Sequence, residues 1–135
     1  MRRLLDGNAL GTVHTFESRF EWWQPGGMRG WKGQTAIADG GGILFDLGTH
    51  LIDQALQLFG PVTDVLADIN RRDTREDCDA DEDTVIVLRH ASGTSSRLTM
   101  SSVAALPGPR LRVLGSRAGY VKHGLDGQEP ALKNG

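Results

Sequence analysis

An aspartate and a histidine stand four residues apart in a segment with helical periodicity. In GGGILFDLGTHLIDQALQLFG, residues 40–60, the polar residues Asp46, His50, Asp53 and Gln57 follow one another at spacings of four, three and four. These spacings predict one column on the surface of an α-helix. Histidine exchanges a proton near neutral pH, and a carboxylate one turn away can orient its ring. Asp46 and His50 therefore have the residue types of a general acid/base pair.

The same column also has a structural explanation. The other side of the helix is apolar and must cover a sheet, so the column faces solvent, where an Asp46–His50 pair adds only about 0.2–0.5 kcal/mol. The glycines at 40–42 favour chemistry, because a glycine in a helix costs about 1 kcal/mol relative to alanine and three together indicate close approach by another group. The residues alone leave a solvated helix face and an active site both open.

Alternation and helix breakers indicate the elements around this helix. Residues 10–23, LGTVHTFESRFEWW, carry Phe16, Phe20 and Trp22 at alternate positions, which predicts a strand with one buried face. The glycine-rich residues 24–34 predict a long loop that carries Trp31. The helix should end at residues 60–61, because glycine accepts a left-handed cap and proline cannot continue the helix.

The second half of the chain reads as a succession of short strands. They are predicted at 62–69, 83–90, 94–105 and 110–116, with turns at 91–93 and 115–119. Consecutive short strands favour antiparallel pairing. The predicted fold class is therefore α+β, a mostly antiparallel open β-sheet with one main helix packed on one face.

Length and composition limit the possible functions. A chain of 135 residues with 39% apolar residues is expected to form a single domain. The formal net charge of -2 comes from scattered charges, so no nucleic-acid partner is expected. The single cysteine, Cys78, cannot form an intrachain disulfide, and no segment reads as a leader or a membrane span. We therefore expect a soluble, cytoplasmic protein with no membrane partner.

No metal site is expected. The acidic run REDCDADED at 75–83 shares alternating carboxylates with calcium loops, but it lacks the glycine and the bidentate glutamate of an EF-hand. We interpret it as a charged loop before a strand. His14 and His90 are expected to be ordinary sheet histidines, since neither has a companion at metal-ligand spacing.

The residues that carry the helix also resemble a known family. The segment GGGILFDLGTHLIDQALQLFGPVTDVLAD, residues 40–68, closely resembles the motif of the C-terminal domain of the Gfo/Idh/MocA oxidoreductases, the glucose-fructose oxidoreductase and inositol dehydrogenase family. The strand HTFESRFEWW agrees with it, and GSRAGYVKHGLDGQEPALKNG is similar to the tail of sugar-type members. The resemblance extends over nearly the whole chain. It implies a domain whose sheet covers the substrate of an NAD(P)-dependent dehydrogenase and forms its dimer interface.

The resemblance also assigns roles to individual residues. The D-x-x-x-H pattern of the family falls on Asp46 and His50. His50 would then take the hydroxyl proton as hydride leaves the carbinol carbon, while Asp46 would orient His50 or bind at the same site. Lys122 and His123, in the tail that is similar to the family, would bind the substrate, which would be a sugar, a polyol or a related alcohol. Trp31 is a further substrate-binding candidate, because a tryptophan beside a glycine-rich loop can pack on a sugar or a nicotinamide ring, although core packing or a dimer contact is equally natural.

This sequence departs from the family in one respect. The nucleotide-binding glycines and the catalytic lysine of the family lie in an N-terminal Rossmann domain, and this sequence contains neither. NAD or NADP is therefore expected only in the full-length enzyme, and the chain alone is expected to be inactive, as an expressed fragment or the product of a truncated gene. An open sheet without a second helical layer predicts a homodimer through the sheet face. The alternative is a non-catalytic dimerisation or ligand-binding module that has lost the Rossmann half.

Overall fold

The computed structural model of the chain describes residues 1–24, 26, 35–72 and 79–124. Two α-helices occur in this part, α1 (Arg2–Asp6) and α2 (Thr49–Phe59), and a 3-10 turn (Ile37–Asp39) and a π-helical turn (Leu44–Gly48) precede α2. The strands are β1 (Val13–Glu21), β2 (Val62–Asn70), β3 (Asp83–His90), β4 (Ser95–Ser101), β5 (Leu111–Gly115) and β6 (Gly119–Lys122).

The six strands form one open sheet in the order β2-β3-β4-β1-β5-β6. All neighbouring pairs are antiparallel except β1 and β4, which run parallel. The predicted α+β class, with a mostly antiparallel open sheet and one main helix, is confirmed. The parallel pair was not predicted, because β1 reaches its neighbour β4 only after the chain has passed through α2, β2 and β3.

Both α-helices pack on the same face of the sheet. On this helix-covered face Phe16, Leu98, Met100 and Val113 are fully buried, and α2 contributes Leu51 and Ala55 to the same cluster. The ring of Phe59 at the end of α2 lies 5.1 Å from the ring of Phe16. Because strand side chains alternate between faces, the intervening residues form a second, open face, which carries Glu17, Arg97 and Arg112.

The main helix starts later than the predicted helix over residues 40–60 and ends where it was predicted to end. Gly40 and Gly42 have φ angles of 83° and 93°, a backbone conformation outside any right-handed helix, so the helical turns begin after them. Gly60 has a φ of 78° and its N–H binds the Leu56 carbonyl, as a helix-ending glycine should.

The short helix α1 was not predicted. Its Leu4 and Leu5 pack against the core, and Arg2 donates a hydrogen bond to the carbonyl of Gln57 on α2 at 3.2 Å. A helix of five residues is too short to show a periodicity in the sequence and depends on these tertiary contacts.

Within residues 1–24, 26, 35–72 and 79–124, no helix has the length and the apolar composition needed to cross a bilayer.

Candidate functional site

The Asp46 and His50 pair lies where the main helix begins. Asp46 is half-buried in the π-helical turn, and His50 is exposed in the first turn of α2. The His50 ring forms no hydrogen bond with any residue of the described ranges, so its nitrogens are available to an incoming molecule. Asp53, one turn further along, is exposed. The predicted polar column therefore faces away from the core, with only Asp46 partly covered.

Two of the three glycines before the helix, Gly41 and Gly42, are explained by contacts within the chain. A Cβ atom on Gly41 would lie 1.8 Å from the Thr35 carbonyl oxygen, and one on Gly42 would lie 2.0 Å from Oδ1 of Asp81. Side chains at these positions would collide with their neighbours. The close approach expected from the glycine run is therefore present, and the approaching groups belong to the protein itself.

Asp81 holds the start of the helix. Its carboxylate accepts the N–H of Leu44 at 3.1 Å and the hydroxyl hydrogen of Thr84 at 2.5 Å, and its carbonyl accepts the N–H of Ile43 at 3.0 Å. Asp81 is 2% exposed. In the sequence Asp81 reads as part of a charged loop, and the signal for its role is its position just before a strand in a run of carboxylates.

A second connection joins the helix to the sheet near His50. Gln54, one turn after His50, accepts a hydrogen bond from Ser18 Oγ at 2.9 Å, and Ser18 Oγ accepts one from Arg110 at 2.6 Å. The Arg110 guanidinium also lies over the Phe20 ring, 3.9 Å from its centroid. This chain of contacts links α2 to the beginning of β5. The sequence analysis did not single out Arg110.

The start of the helix, a pocket and Lys122 lie at one end of the sheet. At this end, called here the Glu21 end, β1, β4 and β6 finish and β3 and β5 begin. A pocket of about 290 Å³ lies there, with walls that include Phe20, Trp22, Arg110 and Gly124.

The substrate-binding candidates have different positions. Lys122 pairs with buried Leu111, so its side chain points to the helix-covered face at the Glu21 end. His123 follows directly and is exposed. Trp31 lies outside the described residues. The structure therefore brings Lys122 to the end of the sheet where α2 is anchored by Asp81.

No group of three or more histidine, cysteine, aspartate or glutamate side chains in the described ranges is arranged to hold a metal ion. His90 lies within the fold, 2% exposed, at the far end of α2 from Asp46. Its ring is 2.8 Å from both the Gly60 carbonyl oxygen and Ser96 Oγ. His90 is therefore a structural residue of the sheet.

Comparison with known proteins identifies the family. The sequence profile of the GFO/IDH/MocA C-terminal domain matches residues 1–121. The chain is 29% identical to scyllo-inositol 2-dehydrogenase (NADP(+)) IolW of Bacillus subtilis (strain 168), over 100% of this chain and 36% of that protein. It therefore spans little more than a third of the length of this relative.

Solved structures agree with the sequence match. YPO2259 of Yersinia pestis has a TM-score of 0.82 and 36% identity, over 99% of this chain and 36% of that chain. GenD2 from gentamicin A biosynthesis, solved in complex with NAD, has a TM-score of 0.69 and 25% identity, over 89% of this chain and 34% of that chain. The chain thus belongs to the GFO/IDH/MocA oxidoreductase family, of which it is a C-terminal domain.

Proposed function

We propose that this chain is the substrate-binding and dimerisation domain of an NAD(P)-dependent dehydrogenase whose substrate is a sugar, a polyol or a related alcohol. The observation that carries the proposal is an exposed histidine, His50, four residues after Asp46 at the anchored start of the main helix. The substrate class is supported by the name of the Bacillus subtilis relative, a scyllo-inositol dehydrogenase.

In the proposed reaction His50 acts as the general base. A bound NAD or NADP would supply the hydride acceptor, so that the carbon–hydrogen bond of the alcohol would break with both electrons leaving as hydride. Positive character develops on the carbon, so transfer of the hydroxyl proton to the imidazole of His50 completes the carbonyl and lowers the barrier. Asp46 orients the imidazole or stabilises its protonated form. In the reverse direction His50 donates the proton.

This chain supplies the substrate side of the site. The sequence contains no G-x-G-x-x-G fingerprint between a strand and a helix, so in the proposal another part of the full-length oxidoreductase binds the dinucleotide. The name of IolW includes NADP(+), and GenD2 was solved in complex with NAD, so the relatives support either cofactor.

Substrate contacts are proposed for the Glu21 end of the sheet. The pocket there combines the aromatic side chains of Phe20 and Trp22 with the guanidinium of Arg110, and aromatic faces with charged groups suit a polyhydroxylated ring. Lys122, His123 and Trp31 complete the proposed substrate-binding set.

A homodimer through the open face is part of the proposal. Both described helices cover the other face, and exposed apolar residues on the edge strand β2 include Leu66. A second copy would cover this face. A cytoplasmic location completes the proposal, because the single cysteine cannot form an intrachain disulfide.

The test is the substitution His50→Ala in the full-length oxidoreductase, with NAD and NADP each offered alongside a panel of inositols and sugars. Loss of a general base should lower kcat by about 10²–10⁴-fold. The matched control is His14→Ala, because His14 is also exposed but bonds only to its neighbour Thr15, at 3.1 Å. This variant should keep the activity of the parent enzyme.

Two results would contradict the proposal. Unchanged turnover in the His50 variant would remove this residue from the mechanism. A full-length protein that oxidises none of the alcohols with either cofactor, yet still binds sugars or dimerises, would instead support the non-catalytic module.

A further inference from the structure

We propose that Asp81 is a positioning residue for the Asp46 and His50 pair, which it holds in place from outside the helix that carries them. This inference rests on the proposed function, because it assigns Asp81 a role in the same acid/base site. Asp81 does not belong to the helix. It stands 37 residues beyond Leu44 in the chain and reaches the helix start only because the sheet brings β3 there.

In the described part of the chain, Asp81 contacts the first residues of the helix and Thr84 of β3. Its two oxygens lie 3.1 Å and 3.4 Å from the backbone nitrogen of Leu44. Its backbone carbonyl binds the N–H of Ile43, and Thr84 donates its hydroxyl hydrogen to the carboxylate. Asp81 thereby fixes the backbone two residues before Asp46.

The backbone at this point has an unusual form. Leu44–Gly48 is a π-helical turn, a form that is rare and is often found at functional sites. Asp46 lies in this turn, and His50 is the second residue after it. The form of the turn therefore affects how the two side chains are placed relative to each other, and Asp81 binds the N–H of Leu44, its first residue, and that of Ile43 just before it.

The charge of Asp81 suits its place. The first N–H groups of a helix have no partner within the helix and carry partial positive charge, which favours a carboxylate over a neutral amide. An asparagine at 81 could place its oxygen at the Oδ2 position, where Leu44 and Thr84 both donate, but its amide nitrogen would then lie at the Oδ1 position, 3.4 Å from the backbone nitrogen of Leu44, and the negative charge would be lost. Asp81→Asn therefore removes the charge of the side chain while keeping its volume.

Gly42 lets the carboxylate come this close, and it offers an independent test. A Cβ on Gly42 would meet Asp81 Oδ1 at 2.0 Å, whereas a Cβ on Gly40 would meet nothing within 4 Å. Both glycines have a positive φ, of 93° and 83°. Gly42→Ala and Gly40→Ala therefore carry similar backbone strain, and only the first displaces Asp81.

The experiment has one part that needs no catalysis. Amide hydrogen exchange is measured by NMR in this chain for the parent protein, Asp81→Asn and the control Asp83→Asn. Asp83 lies two residues further on and pairs with exposed Arg72 at 2.9 Å. In Asp81→Asn, amides from Leu44 to His50 should exchange at least about tenfold faster, with those of the last turn of α2 unchanged.

The second part measures kcat and KM in the full-length oxidoreductase at a temperature at which every variant is folded. Asp81→Asn and Gly42→Ala should lower kcat about tenfold to a hundredfold with KM unchanged, because misplacement of the acid/base pair affects the transition state more than substrate binding. Asp83→Asn and Gly40→Ala should retain the kcat of the parent.

The outcomes separate this inference from the proposed function. Unchanged amide exchange in Asp81→Asn would overturn the role of Asp81. Faster exchange with an unchanged kcat in Asp81→Asn would overturn it too. If His50→Ala is inactive in either case, the proposed function still stands. Equal losses of kcat in Gly42→Ala and Gly40→Ala would also overturn it, since the displaced carboxylate would then add nothing. Full turnover in His50→Ala would overturn the function itself, and the positioning role with it.

Discussion

Glu17 is a buried carboxylate on a sheet face that no described helix covers. It is 4% exposed because arginine side chains from three strands surround it. Its oxygens lie 2.7 Å from Arg19 and 2.7 Å from Arg112, while Arg97 is more distant at 3.8 Å. A carboxylate in this position requires its charged partners, since a buried charge without them is strongly unfavourable.

Replacement of Glu17 should therefore destabilise the fold. In Glu17→Gln both close arginines lose the charge of Glu17, but Arg19 keeps Glu21 at 3.8 Å, and both arginines are partly exposed and can regain water. We expect the free energy of unfolding to fall by about 1–3 kcal/mol, measured by urea denaturation. Arg97→Ala serves as the control: its side chain is 59% exposed and its pairing distance is long, so its effect should stay below about 1 kcal/mol. Equal effects of the two variants would disprove this account of Glu17.

At the scale of elements, the strand β3 holds the main helix at both ends. Asp81 precedes β3 and binds the helix start, while His90 ends β3 and binds the helix end. Since the Gly60 carbonyl can only accept, Nδ1 of His90 carries the proton and Nε2 accepts the hydroxyl hydrogen of Ser96. The Phe59 ring packs edge-on against His90 at 5.7 Å. Residues at the two ends of β3 thus hold the two ends of the main helix.

His90→Leu should loosen the far end of the helix. The variant keeps most of the side-chain volume but leaves the Gly60 carbonyl and the Ser96 hydroxyl without their partner, which should cost about 2–4 kcal/mol of unfolding free energy. Chemical denaturation of the chain measures it. His14→Leu is the matched control, and its effect should stay within about 0.5 kcal/mol because His14 is exposed. If the free energy of unfolding of His90→Leu falls by less than about 1 kcal/mol, packing alone fixes the helix end.

The sequence predicted those features of the elements that depend on neighbouring residues. The helix face, its glycine end and the turns at 91–93 and 115–119 follow from local spacing, and so does the polar column that contains Asp46 and His50, whereas their catalytic roles stay a prediction. The roles of Asp81 and Arg110 depend instead on contacts 37 and 92 residues away along the chain. The π-helical turn also escaped prediction, because a helical wheel assumes one constant angle per residue.

At the scale of the whole molecule, the two sheet faces have different chemistry. The helix-covered face is apolar at its centre, whereas the open face carries arginines of β1, β4 and β5 around Glu17 and aspartates on the edge strand β2. Asp64 and Asp68 flank Leu66 on this face, because Leu66 pairs with Val87 and not with a core residue. In a two-fold dimer the acidic edge of one copy can lie against the basic centre of the other.

The homodimer proposed through the open face can be tested within β2. Leu66 and Val65 are neighbours with similar exposure, 63% and 65%, but their side chains point to opposite faces. Val65 pairs with buried Leu88 and so belongs to the helix-covered side. Leu66→Glu would place a third acidic side chain between Asp64 and Asp68 and remove an apolar contact.

Analytical ultracentrifugation of the chain should show a dimer for the parent and for Val65→Glu. For Leu66→Glu we expect the dissociation constant to rise at least about tenfold, equivalent to about 1.4 kcal/mol. A monomeric parent would refute the dimer outright. A dimer weakened equally by both variants would place the interface at the β2 edge itself, since the edge backbone is the feature that the two positions share.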